Sequence, residues 1–191
     1  MMKKRDPFSF LAPHYNWLIK LPKSVRLREL LNFQEGSILL DVGGGTGRVS
    51  SSFQEVTDKV VVLELSRKMI EQAAIIGLIG IQGNGNALPF SNNCIDRMIM
   101  VDTYHHLFDQ QETLSEVLRV LKPGGRLVIE EPDISSIGVK IIAALEKLLG
   151  FNSHFVPPED IVKIFVNKSN VLVDLEKEEN KAWIIVEKLY A

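Results

Sequence analysis

One cysteine, Cys94, stands among 191 residues, so no disulfide can close within the chain, and a reducing, cytoplasmic setting is expected. No apolar run reaches the roughly 18 residues of a membrane span. The charged start, Met1–Arg5, has no signal-peptide core behind it. Charge is nearly balanced, with 22 Lys and Arg against 24 Asp and Glu, and the basic residues form no block. That disfavours a nucleic acid partner, which would need a concentrated basic surface. Internal repeats and low-complexity tracts are missing too. What remains is one domain, long enough for a substantial core.

The most informative stretch is Leu39–Ser50, Leu-Leu-Asp-Val-Gly-Gly-Gly-Thr-Gly-Arg-Val-Ser. An apolar run ends in Asp41, glycines follow at 43, 44, 45 and 47, and a helix-compatible segment comes next. Strand, Gly turn and helix is how open α/β sheets build a nucleotide crevice. The dinucleotide fingerprint Gly-x-Gly-x-x-Gly fails here. From Gly43 its third glycine falls on Arg48, and from Gly44 its second falls on Thr46. The pattern present is Asp41-x-Gly-x-Gly-x-Gly. A carboxylate at the strand end repels phosphate and suits a ligand carrying an ammonium or sulfonium group.

The rest of the chain reads as βα units and a terminal hairpin. Lys23–Phe33 looks helical, with Gly36 before the first strand. The second strand, Lys59–Leu65, carries Glu64 near its end, close to the interval at which an acid meets ribose hydroxyls in nucleotide-binding units. Ser66 caps the next helix. A short third strand, Ile79–Gln82, leads into Gly83–Phe90, where Asn84 is placed to reach an adenine edge. The fourth strand, Arg97–Val101, is apolar enough to be buried on both faces. Asp109 and Glu112 make a capping box for a helix ending before Lys122-Pro-Gly-Gly, and Arg126–Glu131 is a fifth strand. Val171–Lys177 and Trp183–Leu189, joined at Glu178–Lys181, form an antiparallel hairpin on an otherwise parallel sheet.

Several side chains have a structural reading as well as a chemical one. His14, Tyr15 and Trp17 either wall a ligand or pack an N-terminal helix. His105 and His106 are adjacent, and neighbouring residues point in different directions. With no Cys/His cluster at zinc spacing, no metal is expected. One of these histidines lining a substrate pocket and both being structural are equally open. Glu130 and Glu131 fall on opposite faces of their strand. For Glu131 and Asp133 solvent exposure is expected, and Cys94 reads as a packing residue.

Leu39–Gly47, Leu88-Pro89-Phe90 and Leu118–Ile129 together resemble the class I, Rossmann-like S-adenosylmethionine-dependent methyltransferases. The nearest branch is the small-molecule group that includes the ubiquinone/menaquinone-biosynthesis enzymes. The resemblance covers roughly Ser37–Pro132. It implies a three-layer α/β sandwich with a mostly parallel seven-stranded sheet, order 3-2-1-4-5-7-6, and a C-terminal antiparallel hairpin. It implies one domain over 1–191. Residues 1–36 would be a helical segment over the cofactor site, 37–132 the cofactor-binding core, and 133–191 the C-terminal helices and hairpin.

Carried over by residue, the resemblance gives the methionine portion of S-adenosylmethionine to Asp41, Gly43, Gly45, Thr46 and Gly47. Glu64 takes the ribose hydroxyls and Leu65 lies against adenine. Asn84 and Gly85 meet the adenine edge, and Val101 and Asp102 line the wall near the sulfonium. Tyr15 closes over the cofactor. The chain departs from its relatives at Asn84, where many carry Asp, and at Asn16, where Asp is frequent. It also lacks the Asn/Asp-Pro-Pro-aromatic turn of adenine amino methylation, and its lone Cys94 does not suit arsenic or pyrimidine-C5 methylation. The expectation is therefore methyl transfer to a small-molecule acceptor, by in-line attack. A hydroxyl or carbon acid would need a base, for which His14, His105 and His106 are the candidates. The alternatives are a protein or RNA methyltransferase, or a non-catalytic module that binds S-adenosylmethionine.

Overall fold

The structure, a computed structural model, describes residues 24–148, 153–166 and 168–190. The expectations on His14, Tyr15, Asn16 and Trp17 fall outside the described residues. Helix α1 (Ser24–Leu30) precedes strand β1 (Leu39–Val42), a 3₁₀ helix (Ser50–Glu55) and β2 (Val60–Glu64). Then come α2 (Arg67–Ile75), β3 (Ile79–Gln82), β4 (Ile95–Val101), a 3₁₀ turn (Tyr104–His106) and α3 (Gln110–Val120). The chain ends with β5 (Leu121–Pro132), α4 (Ile137–Leu148), α5 (Pro158–Val166), β6 (Val171–Glu178) and β7 (Lys181–Lys188).

The seven strands form one sheet in the order β3-β2-β1-β4-β5-β7-β6, as the resemblance implies. β1 is central, with Leu40 between Val61 of β2 and Met98 of β4, both parallel. β7 inserts antiparallel beside β5, with Val128 opposite Ile185. The tight reversal from β6 needs a left-handed residue, which Glu179 supplies at φ 51°. Strand alternation splits the core in two. Leu40, Val42, Met98, Met100, Leu127 and Ile129 pack against α3 and α5. Leu39, Val60, Val62, Ile99 and Val128 pack against α1, Phe53 and Ala73. A parallel sheet is stable only with both faces covered, and this division covers both.

Two segments differ from expectation. The stretch after the glycine turn is 3₁₀ rather than α-helical. Its Ser51 and Ser52 hydroxyls donate to the carbonyls three residues back, at 3.1 and 2.8 Å, which favours the tighter coil. Also, Lys122–Gly125 does not precede the fifth strand but lies within it. The pairing with β4 shifts register between Ile95 and Arg97, and Gly124 at φ 76° absorbs the irregularity.

Candidate functional site

The C-terminal ends of β1, β2 and β4 meet at the middle of the sheet, where the strand order reverses, the usual ligand position in such sheets. The turn leaving β1 is shaped by close approach. A Cβ on Gly44 would sit 2.4 Å from the Asp41 carboxyl carbon, so only glycine fits above this side chain. Gly43, Gly45 and Gly47 adopt positive φ, yet their surroundings differ. Positions 43 and 47 are packed, against Thr103 and Leu78, while a Cβ on Gly45 would meet nothing within 4 Å. Gly45 is therefore where this cradle is open to a ligand. Thr46 is buried beside it.

Beneath the turn, Asp41 is 1% exposed, and its Oδ2 has no hydrogen-bond partner. Burial pushes its carboxyl up to about 7, and the negative charge of Glu64 adds to this. A hydrogen bond from Ser50 and the Arg48 charge oppose it. A buried carboxylate with one unpaired oxygen under a glycine turn favours a cation above it. That fits the ammonium and sulfonium groups of S-adenosylmethionine.

Glu64 joins the second strand to this cradle. Its carboxylate accepts from the Gly45 amide at 3.2 Å and the Ser66 amide at 2.8 Å, which holds it at the crevice edge. Beside it Leu65 is 68% exposed, an apolar surface of the kind on which an adenine ring stacks. Across the crevice, Asn84 is exposed, but its Oδ1 is engaged by the Asn86 amide at 3.1 Å. Gly85 is buried, and a Cβ there would lie 3.0 Å from Thr113 Cγ2, so its backbone packs on α3. Val101 and Asp102 close the wall. Asp102 sits at φ 51°, and burial raises its carboxyl above the usual range, with Lys181 opposing.

Behind that wall lies a polar cluster which the sequence did not announce. Glu131 was expected to be solvent-exposed, yet it is 4% exposed at the end of β5. One carboxylate oxygen accepts from the Thr103 and Tyr104 amides, at 2.9 and 2.7 Å. The other accepts from His105 Nδ1 at 2.5 Å. Strand polarity is the reason: the loop after β4 leaves two buried amides that need an acceptor, and β5 lies alongside. Asp133 is likewise buried, paired with Lys177 at 3.0 Å. Glu130 faces the other way, toward Lys181 and Trp183 Nε1, as alternation requires.

His105 and His106 do not diverge. Their ring centroids lie 4.0 Å apart, because both belong to one 3₁₀ turn. Phe155 stacks on His105 at 4.2 Å. Burial alone would lower the His105 pKa, but the Glu131 bond and charge raise it. Burial, with the His105 charge adding to it, depresses His106 to about 3, so it is neutral at physiological pH. Its Nδ1 lies 3.2 Å from Ser153 Oγ, which donates to Glu146 at 2.5 Å. Ser153 and Glu146 come from beyond β5, with no local pattern to flag them.

Residues 40–129 match the family described as "Methyltransferase domain". The ubiquinone/menaquinone biosynthesis C-methyltransferase UbiE of Escherichia coli is 35% identical over 109 residues, covering 51% of this chain. The match spans 43% of that enzyme's length. Among solved structures, a chain of the complex between the Haloferax volcanii Trm112 methyltransferase activator and a methyltransferase superposes with a TM-score of 0.79. It has 15% identity and covers 97% of this chain and 99% of that one. An S-adenosylmethionine-dependent methyltransferase from Mesorhizobium loti gives 0.73 at 16% identity, covering 86% and 96%. At such identities these two structures speak for the fold alone.

Proposed function

We propose that this chain, a class I methyltransferase through its residues 40–129, moves a methyl group from S-adenosylmethionine to a small-molecule acceptor. The observation that carries the reading is the unpartnered Asp41 Oδ2 beneath a glycine turn that is open only at Gly45. Asp41, with the Gly43–Gly47 backbone, would hold the cationic methionine end. Glu64 would accept from ribose hydroxyls, and Leu65 and Asn84 would take the adenine. Val101 and Asp102 would flank the sulfonium. Bound there, S-adenosylmethionine supplies a methyl group on a cationic sulfur, activated for in-line attack.

The protein's share of that chemistry is alignment and exclusion of water, with reacting atoms brought to about 3–3.5 Å. Sulfonium charge disperses during transfer, so stronger anions near sulfur would hold the ground state more than the transition state. Asp41 sits under the turn, which suits binding rather than rate. His105 is the base candidate with the better support, since Glu131 fixes its orientation. His106 lies beside it. A small, apolar acceptor is favoured by α4, which extends from β5 and contacts this region through Glu146. It exposes Ile137, Ile141, Ile142, Leu145 and Leu148, a surface unlike one that grips phosphates.

Calorimetric titration with S-adenosylmethionine and S-adenosylhomocysteine, with NADH as control, tests the reading. Micromolar binding of the first two and none of NADH is expected. Asp41→Ala should weaken both by at least about a hundredfold, about 2.7 kcal/mol, in a chain that still folds. Undiminished affinity in that variant would overturn the assignment.

A further inference from the structure

The cluster behind the cofactor wall has the donor set of a metal site, and its hydrogen bonds determine which atoms are offered. Ser153 has one hydroxyl hydrogen, and it goes to Glu146 Oε2 at 2.5 Å. At His106 the same oxygen must therefore accept, so His106 carries its proton on Nδ1. His105 is held the same way, with Nδ1–H directed at Glu131 Oε2. Both imidazoles are thus set as the tautomer that puts the lone pair on Nε2. Metal-bound histidines are oriented in this manner, the second nitrogen donating to a carboxylate or its relay. The third group, Glu146, keeps Oε1 while Ser153 holds its other oxygen.

One ligand atom each from His105, His106 and Glu146 lies within 4.8 Å of the other two. Around a tetrahedral ion such atoms stand about 3.3 Å apart, given metal–ligand distances of about 2.0–2.2 Å. His106 and Glu146 are only partly buried, so side-chain rotation can close the difference, and the same exposure gives an ion its way in. His105 is the anchored member, clamped between Phe155 and Glu131.

From this geometry we propose that His105, His106 and Glu146 bind one divalent transition metal ion of the zinc or cobalt class. Two nitrogens and one carboxylate oxygen suit such ions and not magnesium or calcium, which take oxygen. Three protein ligands leave a coordination position for an oxygen ligand from outside the chain. Glu131 and Ser153 are the positioning residues. The site stands on its own geometry and does not depend on the methyl-transfer reading; with a metal on Nε2, His105 would be a ligand and not the base.

The test titrates the metal-stripped full chain with cobalt(II) chloride, followed by d–d absorption, and measures zinc retained after desalting. One ion per chain is expected. Glu146→Gln and His106→Ala should each abolish it, and Ser153→Ala should weaken it by about tenfold or more, the usual effect of losing an outer-shell partner. Circular dichroism melts confirm that each variant is folded. Folded wild-type chain that holds no cobalt or zinc overturns the proposal. So does equal affinity in Glu146→Gln and His106→Ala, which would put the ion elsewhere. S-adenosylhomocysteine binding, measured on the same stripped sample, reports separately on the methyltransferase assignment.

Discussion

The cradle after β1 and the cluster behind β4 are linked through Thr103, whose hydroxyl donates to the Gly43 carbonyl and whose amide donates to Glu131. They are built by opposite means. The cradle is local: Asp41 through Gly47 set its shape, and only Glu64 arrives from another strand. One oxygen of its carboxylate, Asp41 Oδ2, is left without a hydrogen-bond partner, so binding a cation relieves it. The cluster is assembled from β4, β5, α4 and the segment before α5, and every charge in it has a neighbour. A site with an unpartnered carboxylate oxygen and a site knit together by its own hydrogen bonds respond differently to mutation, and that difference can be measured.

Removing the hub of the cluster should have the largest effect. Glu131→Ala leaves the Thr103 and Tyr104 amides and His105 Nδ1 without their acceptor, all within a buried pocket. Loss of one member of a buried, hydrogen-bonded charge pair typically costs about 3–5 kcal/mol. Urea denaturation at neutral pH should show a loss of that size. A change below about 1 kcal/mol would mean that water replaces the carboxylate, and that the cluster is less closed than its burial implies.

The cradle should show the opposite sign. The Asp41 pKa is raised to about 7 from 3.8, chiefly by burial. Between these values the folded state binds more protons than the unfolded state, so Asp41 makes the chain less stable as pH rises through that window. At about 1.4 kcal/mol per unit, its ionisation costs about 4 kcal/mol by pH 8. Asn cannot ionise, so the stability of Asp41→Asn relative to wild type should increase by about that amount from pH 4 to pH 8. Taking the difference between the two proteins cancels the other titrating groups. A flat difference would show that Asp41 stays ionised throughout, held by Arg48 and Ser50, and the cradle would then not be primed for a cation.

This contrast also explains what could be read from the sequence. Asp41-x-Gly-x-Gly-x-Gly is legible because a strand end and a tight turn dictate each residue type over a few positions. Glu64 was singled out through its distance from Gly47, and the strand order followed from the resemblance. Glu131 was misread as exposed because strand alternation says which face it takes, not that two amides wait there. His105 and His106 were judged to diverge, since the 3₁₀ turn that stacks them depends on Tyr104 being buried and on Glu131 capping its amides. Glu146 and Ser153 had no signal, as their partner lies some forty residues earlier. At Gly85, assigned to the ligand, a Cβ would also meet Thr113, a packing reason for glycine that the sequence did not show.

The smallest expected effect marks the boundary between the two regions. His106 lies beyond Thr103, on the cluster side, stacked beside His105 with its Nδ1 on Ser153. His106→Ala should therefore leave S-adenosylhomocysteine affinity within about twofold, a difference of about 0.4 kcal/mol. Calorimetry resolves a tenfold loss easily. Such a loss would carry the cofactor surface across Thr103 and into the cluster. Asp41 and the two histidines would then be two walls of one cavity, and mutations in them should couple rather than add.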